Sequence, residues 1–265
     1  MFQFDLAGAL NPAGKSPVDQ IIARAEATSP CLPRARLRSE HTRLLGVGQE
    51  TTCWLLPLAV LLGARYLGLQ VPARSKSSAR ALHASEVVPI PEQRGLTAVV
   101  VADTHSQPHP KARPLIERLA PDLIFHAGDI GDLSVLDQLR KLAPLIAVRG
   151  NVDERAAGLA DTVDVEFFAG ERSVLKLLLT HIAVYGPKLR AEVARLANAH
   201  AARIVLCGHS HVPFLGRDKG IVVFNPGSIG PRRFQLPITL GVLQVSTSGI
   251  SLRHVSCETG ETWLP

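Results

Sequence analysis

The chain is poor in aromatic residues: Phe, Trp and Tyr make up 5% of its 265 positions, while 46% of the positions are hydrophobic. Aliphatic side chains must therefore fill most of the core. Cysteine is scarce as well. Cys31, Cys53, Cys207 and Cys257 form no C-x-x-C pair. That pattern excludes a disulfide framework and a thiolate zinc site, and points to reduced, mostly buried thiols in a cytoplasmic protein. No apolar run reaches the roughly 20 residues that a membrane-spanning helix needs. Within CWLLPLAVLLGARYLGLQV (53–71) the uninterrupted part runs from Cys53 to Ala64 before Arg65 breaks it. Membrane contact through 53–71 is therefore disfavoured. It stays open because Arg34, Arg36, Arg38 and Arg43 precede the run, a basic-then-apolar order that resembles an anchor. Excess charge is missing too. The formal net charge is +6, with 11 Lys/Arg and 7 Asp/Glu in residues 1–94 and 18 and 16 in residues 95–265. The longer part is nearly neutral and lacks the basic stripe of a nucleic-acid surface. There is no internal repeat with a period of 20–50 residues.

The two parts of the chain read differently. Residues 1–94 show scattered Arg, many Pro and no sustained period, and residues 72–95 read as a Pro- and Ser-rich linker. We expect residues 1–94 to be a poorly structured extension and residues 95–265 to be the domain. From Leu96 onward, apolar β-branched runs alternate with short amphipathic segments. LTAVVVADTH, DLIFHAGD, LIAVRGN, SVLKLLLTH and ARIVLCGH read as buried strands. PLIERLA, SVLDQLRKLA and PKLRAEVARLANAHA read as helices. The stretches 212–228 and 239–256 read as hairpins, with turns at Gly216–Gly220 and Ser246–Gly249. This alternation predicts an α/β domain with a mostly parallel sheet.

Each of those strands ends in polar residues that can bind a ligand. The first delivers Asp103 and His105, the second Asp129, and the third Asn151. SVLKLLLTH delivers His181, and ARIVLCGHSH delivers His209 and His211. Each has an ordinary reading when taken singly. Asp103 fits a helix cap, Asp129 a turn, Gly150–Asn151 a loop, and His181 a core histidine. Taken together they are a different matter, because ligands in open α/β sheets bind outside the carboxyl ends of the strands. If the strands are neighbours, seven oxygen and nitrogen donors converge on one rim.

In order, DTH, GD, GN, TH and GHSH, followed by NPGS (225–228), resemble the calcineurin-like metallophosphoesterase superfamily, in its small single-domain prokaryotic phosphodiesterase branch. The resemblance covers about residues 95–256. It implies an α/β fold, a four-layer αββα sandwich of two mixed sheets, and a centre of two divalent metal ions. Asp103, His105 and His211 would bind one ion, Asn151, His181 and His209 the other, and Asp129 would bridge them. The implied function is hydrolysis of a small phosphodiester by in-line attack of a metal-bridging hydroxide, with Asn151, Asp129 and His209 as catalytic residues. Two ions cancel substrate charge and acidify water. The imidazole, carboxylate and amide donors suit Mn, Fe, Co, Ni or Zn better than Ca, and the family favours Mn. Asn225, Arg232 and Arg233 are candidate substrate contacts. A homo-oligomer stays open.

Three positions depart from the family pattern. The histidine that many relatives carry after the GN asparagine is Val152 here, which leaves the leaving-group acid to a metal-bound water, Asp153 or His126. Ser106 and Ile182 replace two usual glycines. Two other readings compete with the enzyme. ALNPAGKS (9–16) fits a relaxed Walker A pattern, but Pro12 and Pro17 flank its lysine and no strand–helix alternation follows. The second rival is a catalytically weak metal-binding module for protein interaction on the same fold, like the retromer-coat subunit that resembles these enzymes and has lost key histidines. All seven ligand positions of this chain carry competent residues, which favours the enzyme.

Overall fold

The computed structural model describes Phe2–Phe4, residues 81–91 and residues 93–264. The Walker-like stretch, the 53–71 run, and Cys31 and Cys53 lie outside the described residues. Among the described residues, no helix is long and apolar enough to cross a membrane.

In chain order the strands and helices are β1 (Phe2–Phe4), β2 (His83–Pro89), β3 (Leu96–Val101), α1 (Ala112–Leu119), β4 (Leu123–His126), α2 (Ser134–Arg140) and β5 (Leu145–Ala147). Then come β6 (Thr162–Ala169), β7 (Arg172–Thr180), β8 (Val184–Tyr185), β9 (Lys188–Leu189), α3 (Ala191–Ala199) and β10 (Ile204–Leu206). The chain finishes with β11 (Pro213–Asp218), β12 (Ile221–Pro226), β13 (Thr239–Ser246), β14 (Gly249–Ser256) and β15 (Thr262–Trp263). The first sheet has the order β1-β14-β13-β3-β4-β5, with β15 on β14, and the second has β11-β12-β10-β7-β6-β2.

Alternation along the strands explains the layers. In β3, Ala98 and Val100 face one way and join Phe125, Phe167, Leu177, Leu206 and Phe224 between the two sheets. Val99 and Val101 face the other way and pack with Leu115, Ile116, Val135 and Leu136 of α1 and α2. A strand buried on both faces must be apolar throughout, which is why LTAVVV shows no alternation. On the second sheet, Leu178, Val205 and Val223 turn outward to meet Val193, Ala194 and Ala197 of α3. The layers are therefore helices, sheet, sheet and helix, as the resemblance implied.

The expectation of a mostly parallel sheet is corrected. The parallel ladder β3–β4–β5 ends the first sheet and β7–β10–β12 lies within the second, but antiparallel β13 borders the first and antiparallel β6 and β11 border the second. Hairpin connections bring those flanking strands in without a helical crossover. Residues 83–89, read as linker, form β2, which pairs in parallel with β6 from His83↔Thr162 to Pro89↔Phe168. An edge strand needs one partner and buries little, so its polar sequence carries no strong signal. Gly216 lies within β11, and the turn falls at Lys219–Gly220. The third helix begins only at Ala191, because Lys188–Leu189 pair with Val184–Tyr185.

Candidate metal centre

The register of the parallel ladders gathers the polar residues. Val101 pairs with His126, and His126 with Ala147, so the chain leaves β3, β4 and β5 side by side. Leu206 pairs with Leu179, and two residues further on the Gly208 N–H donates to the His181 carbonyl at 3.0 Å. The loops then continue to pair: the Asp103 N–H reaches Gly128 O at 2.9 Å and the His105 N–H reaches Asp129 O at 3.0 Å. Asp103, His105, Asp129, His209 and His211 all have positive φ, half of the ten such non-glycine residues among those described. Left-handed backbone is costly outside glycine and clusters at functional sites.

The donors fall into two groups of three, Asp103–His105–His211 and Asp129–His181–His209, each with ligand atoms within 4.8 Å of one another. Asp129 faces both. Its Oδ1 lies 3.3 Å from His181 Nε2 and its Oδ2 lies 3.7 Å from His105 Nε2. Asn151 Oδ1 stands 3.1 Å from His181 Nε2 and 3.0 Å from His209 Nδ1. In the first group, His211 Nε2 is 3.2 Å from His105 Nε2 and 3.5 Å from Asp103 Oδ1.

This arrangement fits divalent cations. His181 Nδ1 donates to Ala127 O at 2.7 Å, so in the neutral ring the Nε2 lone pair points at the oxygens of Asp129 and Asn151. Such a brace on the far ring nitrogen is usual for a metal-binding histidine. His105 and His211 likewise aim ring nitrogens at each other. Lone pairs that converge in this way need a shared proton or a cation between them. His211 Nδ1 is buried with no partner among the described residues.

The electrostatics point the same way. Burial pushes the Asp103 carboxyl up to about 7, as expected for a carboxylate without a cation beside it. Burial also raises Asp129, but His181 and the Val152 N–H outweigh it and hold that carboxyl at about 2. Burial opposes the charged form of His181 too, yet Asp129 and the Ala127 carbonyl raise it on balance. Burial lowers His105 and His209, and takes His211 down to about 4, leaving imidazoles with free lone pairs. A Cβ on Gly150 would collide with the Asp129 backbone nitrogen and Oδ1, so the GN loop needs glycine in order to reach the carboxylate.

The residues around the donors have other tasks. The Asp153 carboxylate accepts from the N–H groups of Ile130 (2.9 Å), Gly131 (2.9 Å) and Gly150 (2.8 Å), locking the GD loop to the GN loop. His126 is fully buried between the Thr104 hydroxyl (3.1 Å) and the Gly128 N–H (3.2 Å), and burial takes it down to about 4. Neither is free to protonate a leaving group, so both candidate acids are withdrawn. Asn225 as a substrate contact is corrected as well. Its buried Nδ2 donates to Gly208 O (2.7 Å) and Ser210 Oγ (3.0 Å), and its Oδ1 accepts from Gly227 N. It braces the GHSH loop. Ser228 Oγ donates to Asp103 O at 3.0 Å, so the NPGS turn supports the DTH loop too. The spacing of NPGS signalled the family but not this task. The two arginines separate. Arg232 is drawn away, to Glu258 and to Leu236 O. Arg233 stays at the rim, with Nη2 3.1 Å from His105 Nε2.

Comparison with known proteins gives the family. Residues 96–248 match the model of the calcineurin-like phosphoesterase superfamily domain, more than half of the chain. The chain belongs to the calcineurin-like phosphoesterase superfamily. It is 31% identical over 134 residues to a probable metallophosphoesterase of Methanocaldococcus jannaschii, covering 49% of this chain and 66% of that one. It is 34% identical over 107 residues to another from Methanothermobacter thermautotrophicus, covering 40% and 60%. The chain thus spans less than two thirds of either relative. Among solved structures, it is similar to vacuolar protein sorting 29 from Cryptosporidium parvum, with TM-score 0.53, 14% identity, and coverage of 65% of this chain and 96% of that one. It is also similar to a variant of the same protein from Entamoeba histolytica, with TM-score 0.51, 20% identity, and coverage of 63% and 96%. These likenesses concern the fold. Membership of this family implies divalent metals.

Proposed function

We propose that this chain is a dinuclear-metal phosphodiesterase acting on a small phosphodiester. The observation that carries the reading is Asp129: one carboxylate oxygen faces each of the two donor groups. Asp103, His105 and His211 would hold one ion, Asn151, His181 and His209 the other, and Asp129 both. Two ions so placed would neutralise phosphoryl charge and acidify water. The residues of the chain do the rest. Asp129 fixes the separation of the two groups, and Asp153 keeps the loops that carry Asp129 and Asn151 from drifting apart. Asn151 and His209, whose Oδ1 and Nδ1 lie 3.0 Å apart, would orient a phosphoryl oxygen for in-line displacement. Arg233 offers its guanidinium to the substrate phosphate at the rim, since arginine matches phosphate geometry. Val152 is half exposed beside Asp129, and His126 and Asp153 are both held in structural hydrogen bonds, so none of the three supplies a proton to the leaving group. The donors suit Mn, with Fe, Co, Ni or Zn as competitors. A reducing, cytoplasmic setting suits Cys207 and Cys257, which are buried and free.

The test is turnover of bis(p-nitrophenyl) phosphate by metal-stripped protein with and without added Mn, alongside metal analysis. Metal-dependent nitrophenol release with two ions bound is expected. Full metal loading without turnover would overturn the enzyme reading and leave a metal-binding interaction module.

A further inference from the structure

A second histidine–aspartate cluster lies on the outer face of the second sheet, apart from the strand-end loops. His83 comes from β2, Asp164 from β6, and His200 caps the C-terminal end of α3. His83 Nε2 is 2.9 Å and His200 Nδ1 is 2.5 Å from the same oxygen, Asp164 Oδ2. The ligand atoms of the three residues lie within 4.8 Å of one another.

We propose that His83, Asp164 and His200 form a separate binding site for a zinc-class divalent ion, which clamps the edge strand β2 to β6 and α3. Four features support it. Both Asp164 oxygens are buried and, among the described residues, receive no hydrogen bond of proper geometry, although two imidazoles stand against one of them. A buried carboxylate without donors needs a cation. His83 Nδ1 is engaged by Thr162 Oγ1 at 2.8 Å, which leaves Nε2 to face inward, the same bracing seen at metal-bound histidines. The C-terminal end of a helix carries partial negative charge, which favours a cation beside His200. The two rings lie with centroids 5.0 Å apart and tilted by 40°, so their nitrogens converge without stacking face to face.

The donor set decides the metal. Two imidazoles and a carboxylate leave one open position in a tetrahedron and select Zn, Ni or Cu over Mn or Mg. A tetrahedral zinc ion with bonds of about 2.0–2.2 Å holds its ligand atoms roughly 3.3 Å apart, so His83 and His200 need only draw back slightly from Asp164. A shallow cleft bordered by Ser85, Glu86, Glu166 and Lys176 opens beside Asp164 and gives the ion a way in. The three ligands come from three elements. The ion can therefore bind only while β2 stays docked, and its binding free energy becomes stability of that edge.

The test uses the full chain, stripped of metal and dialysed to equilibrium against micromolar zinc, with His83→Ala and His200→Ala treated identically. The native chain should hold one equivalent more than either variant, whatever number the strand-end centre takes. Zinc in hundredfold excess over its dissociation constant should raise the native melting temperature by about 5–10 °C more than that of His83→Ala. Dialysis against manganese should give equal counts in all three proteins, and Mn-supported turnover should be unchanged. Equal zinc content in the native chain and both folded variants, or equal melting shifts, would overturn the proposal. Absence of Mn-supported turnover in all three proteins, with the extra zinc equivalent held by the native chain alone, would instead count against the phosphodiesterase reading and leave this site standing.

Discussion

The two sheets bring unlike chemistry to the centre. The first sheet delivers the oxygen donors, Asp103, Asp129 and Asn151, with His105 as its lone imidazole. The second sheet delivers imidazoles only, His181, His209 and His211. Their supports differ too. The loops of the first sheet are tied to one another: Asp153 accepts three backbone N–H groups and the Val152 N–H donates to Asp129 Oδ1 at 3.1 Å. The loop from β10 reaches across the interface instead, where the His209 N–H donates to Asp103 Oδ1 and Oδ2 at 3.1 and 3.0 Å. Neither sheet holds all the donors, so their convergence is a product of the packing between the two sheets. Charge is set by the first sheet and lone pairs by the second.

That division can be broken most sharply at Asp129, which serves both donor groups. Asp129→Asn keeps the shape but removes the shared charge. Metal content should fall at both positions together. Turnover should drop by about 10³-fold or more, since charge stabilisation by metal is worth several kcal/mol. Two retained equivalents with normal rates would show that Asp129 does not join the two donor groups.

The mutual bracing of the first-sheet loops is probed by Asp153→Asn. The new amide places a donor against backbone donors, at a stability cost of about 1–3 kcal/mol. Because Asp153 acts through the residues it positions, turnover and metal affinity should fall by roughly 10–100-fold. A lower melting temperature with unaltered metal affinity would reduce Asp153 to a fold-stabilising residue.

A third experiment concerns what neither sheet supplies. With His126 and Asp153 both committed to structural bonds, kcat/KM should depend steeply on the leaving-group pKa across aryl and alkyl phosphodiesters at saturating Mn. Val152→His should flatten that slope and speed alkyl substrates about tenfold. An evolved acid contributes 10²–10⁴-fold, and nothing braces the new ring. A shallow slope in the unmodified chain would mean that a proton reaches the leaving group by another route.

The same contrast governs what the sequence reveals. The strands of the parallel ladders were legible because burial on both faces leaves only apolar residues, and because DTH, GD, GN, TH and GHSH sit directly at their ends. The edge of the second sheet was not. HASEVVP in β2 is polar because five of its seven residues are exposed. In β6, Asp164 and Glu166 alternate with the buried Val163, Val165 and Phe167, so its outer face is polar. The positions of the converging donors could be read from residue type and order. The supporting roles of Asn225 and Asp153 could not, since an amide that faces substrate and one that closes a loop look alike until their partners are known.

The smallest effect is expected at that edge, and it bears on where the catalytic unit begins. We propose a start near residue 81 rather than 95. A chain beginning at 81 keeps β2, the buried Ile90 (4% exposed), and the Leu82 N–H bond to Asp161 Oδ2 at 2.7 Å. Asp161 is also the partner of Arg149, whose Nη2 donates to it at 2.8 Å just ahead of the GN loop. A chain beginning at 95 loses β2 and exposes the backbone of β6. Both truncations lack β1, so their difference isolates β2. The buried Ile90 side chain alone is worth about 1.5–3 kcal/mol, and a bare strand edge invites association. The shorter chain should therefore melt several degrees lower and aggregate more readily (about 2–4 °C per kcal/mol for a domain of this size). Mn-supported turnover per folded molecule should be equal in the two, because no donor of the centre lies on β2 or β6. Equal melting temperatures would return the boundary to residue 95. A fall in turnover of the folded 95–265 chain would show that the second sheet's edge does more than hold the packing, reaching the GN loop through Asp161 and Arg149.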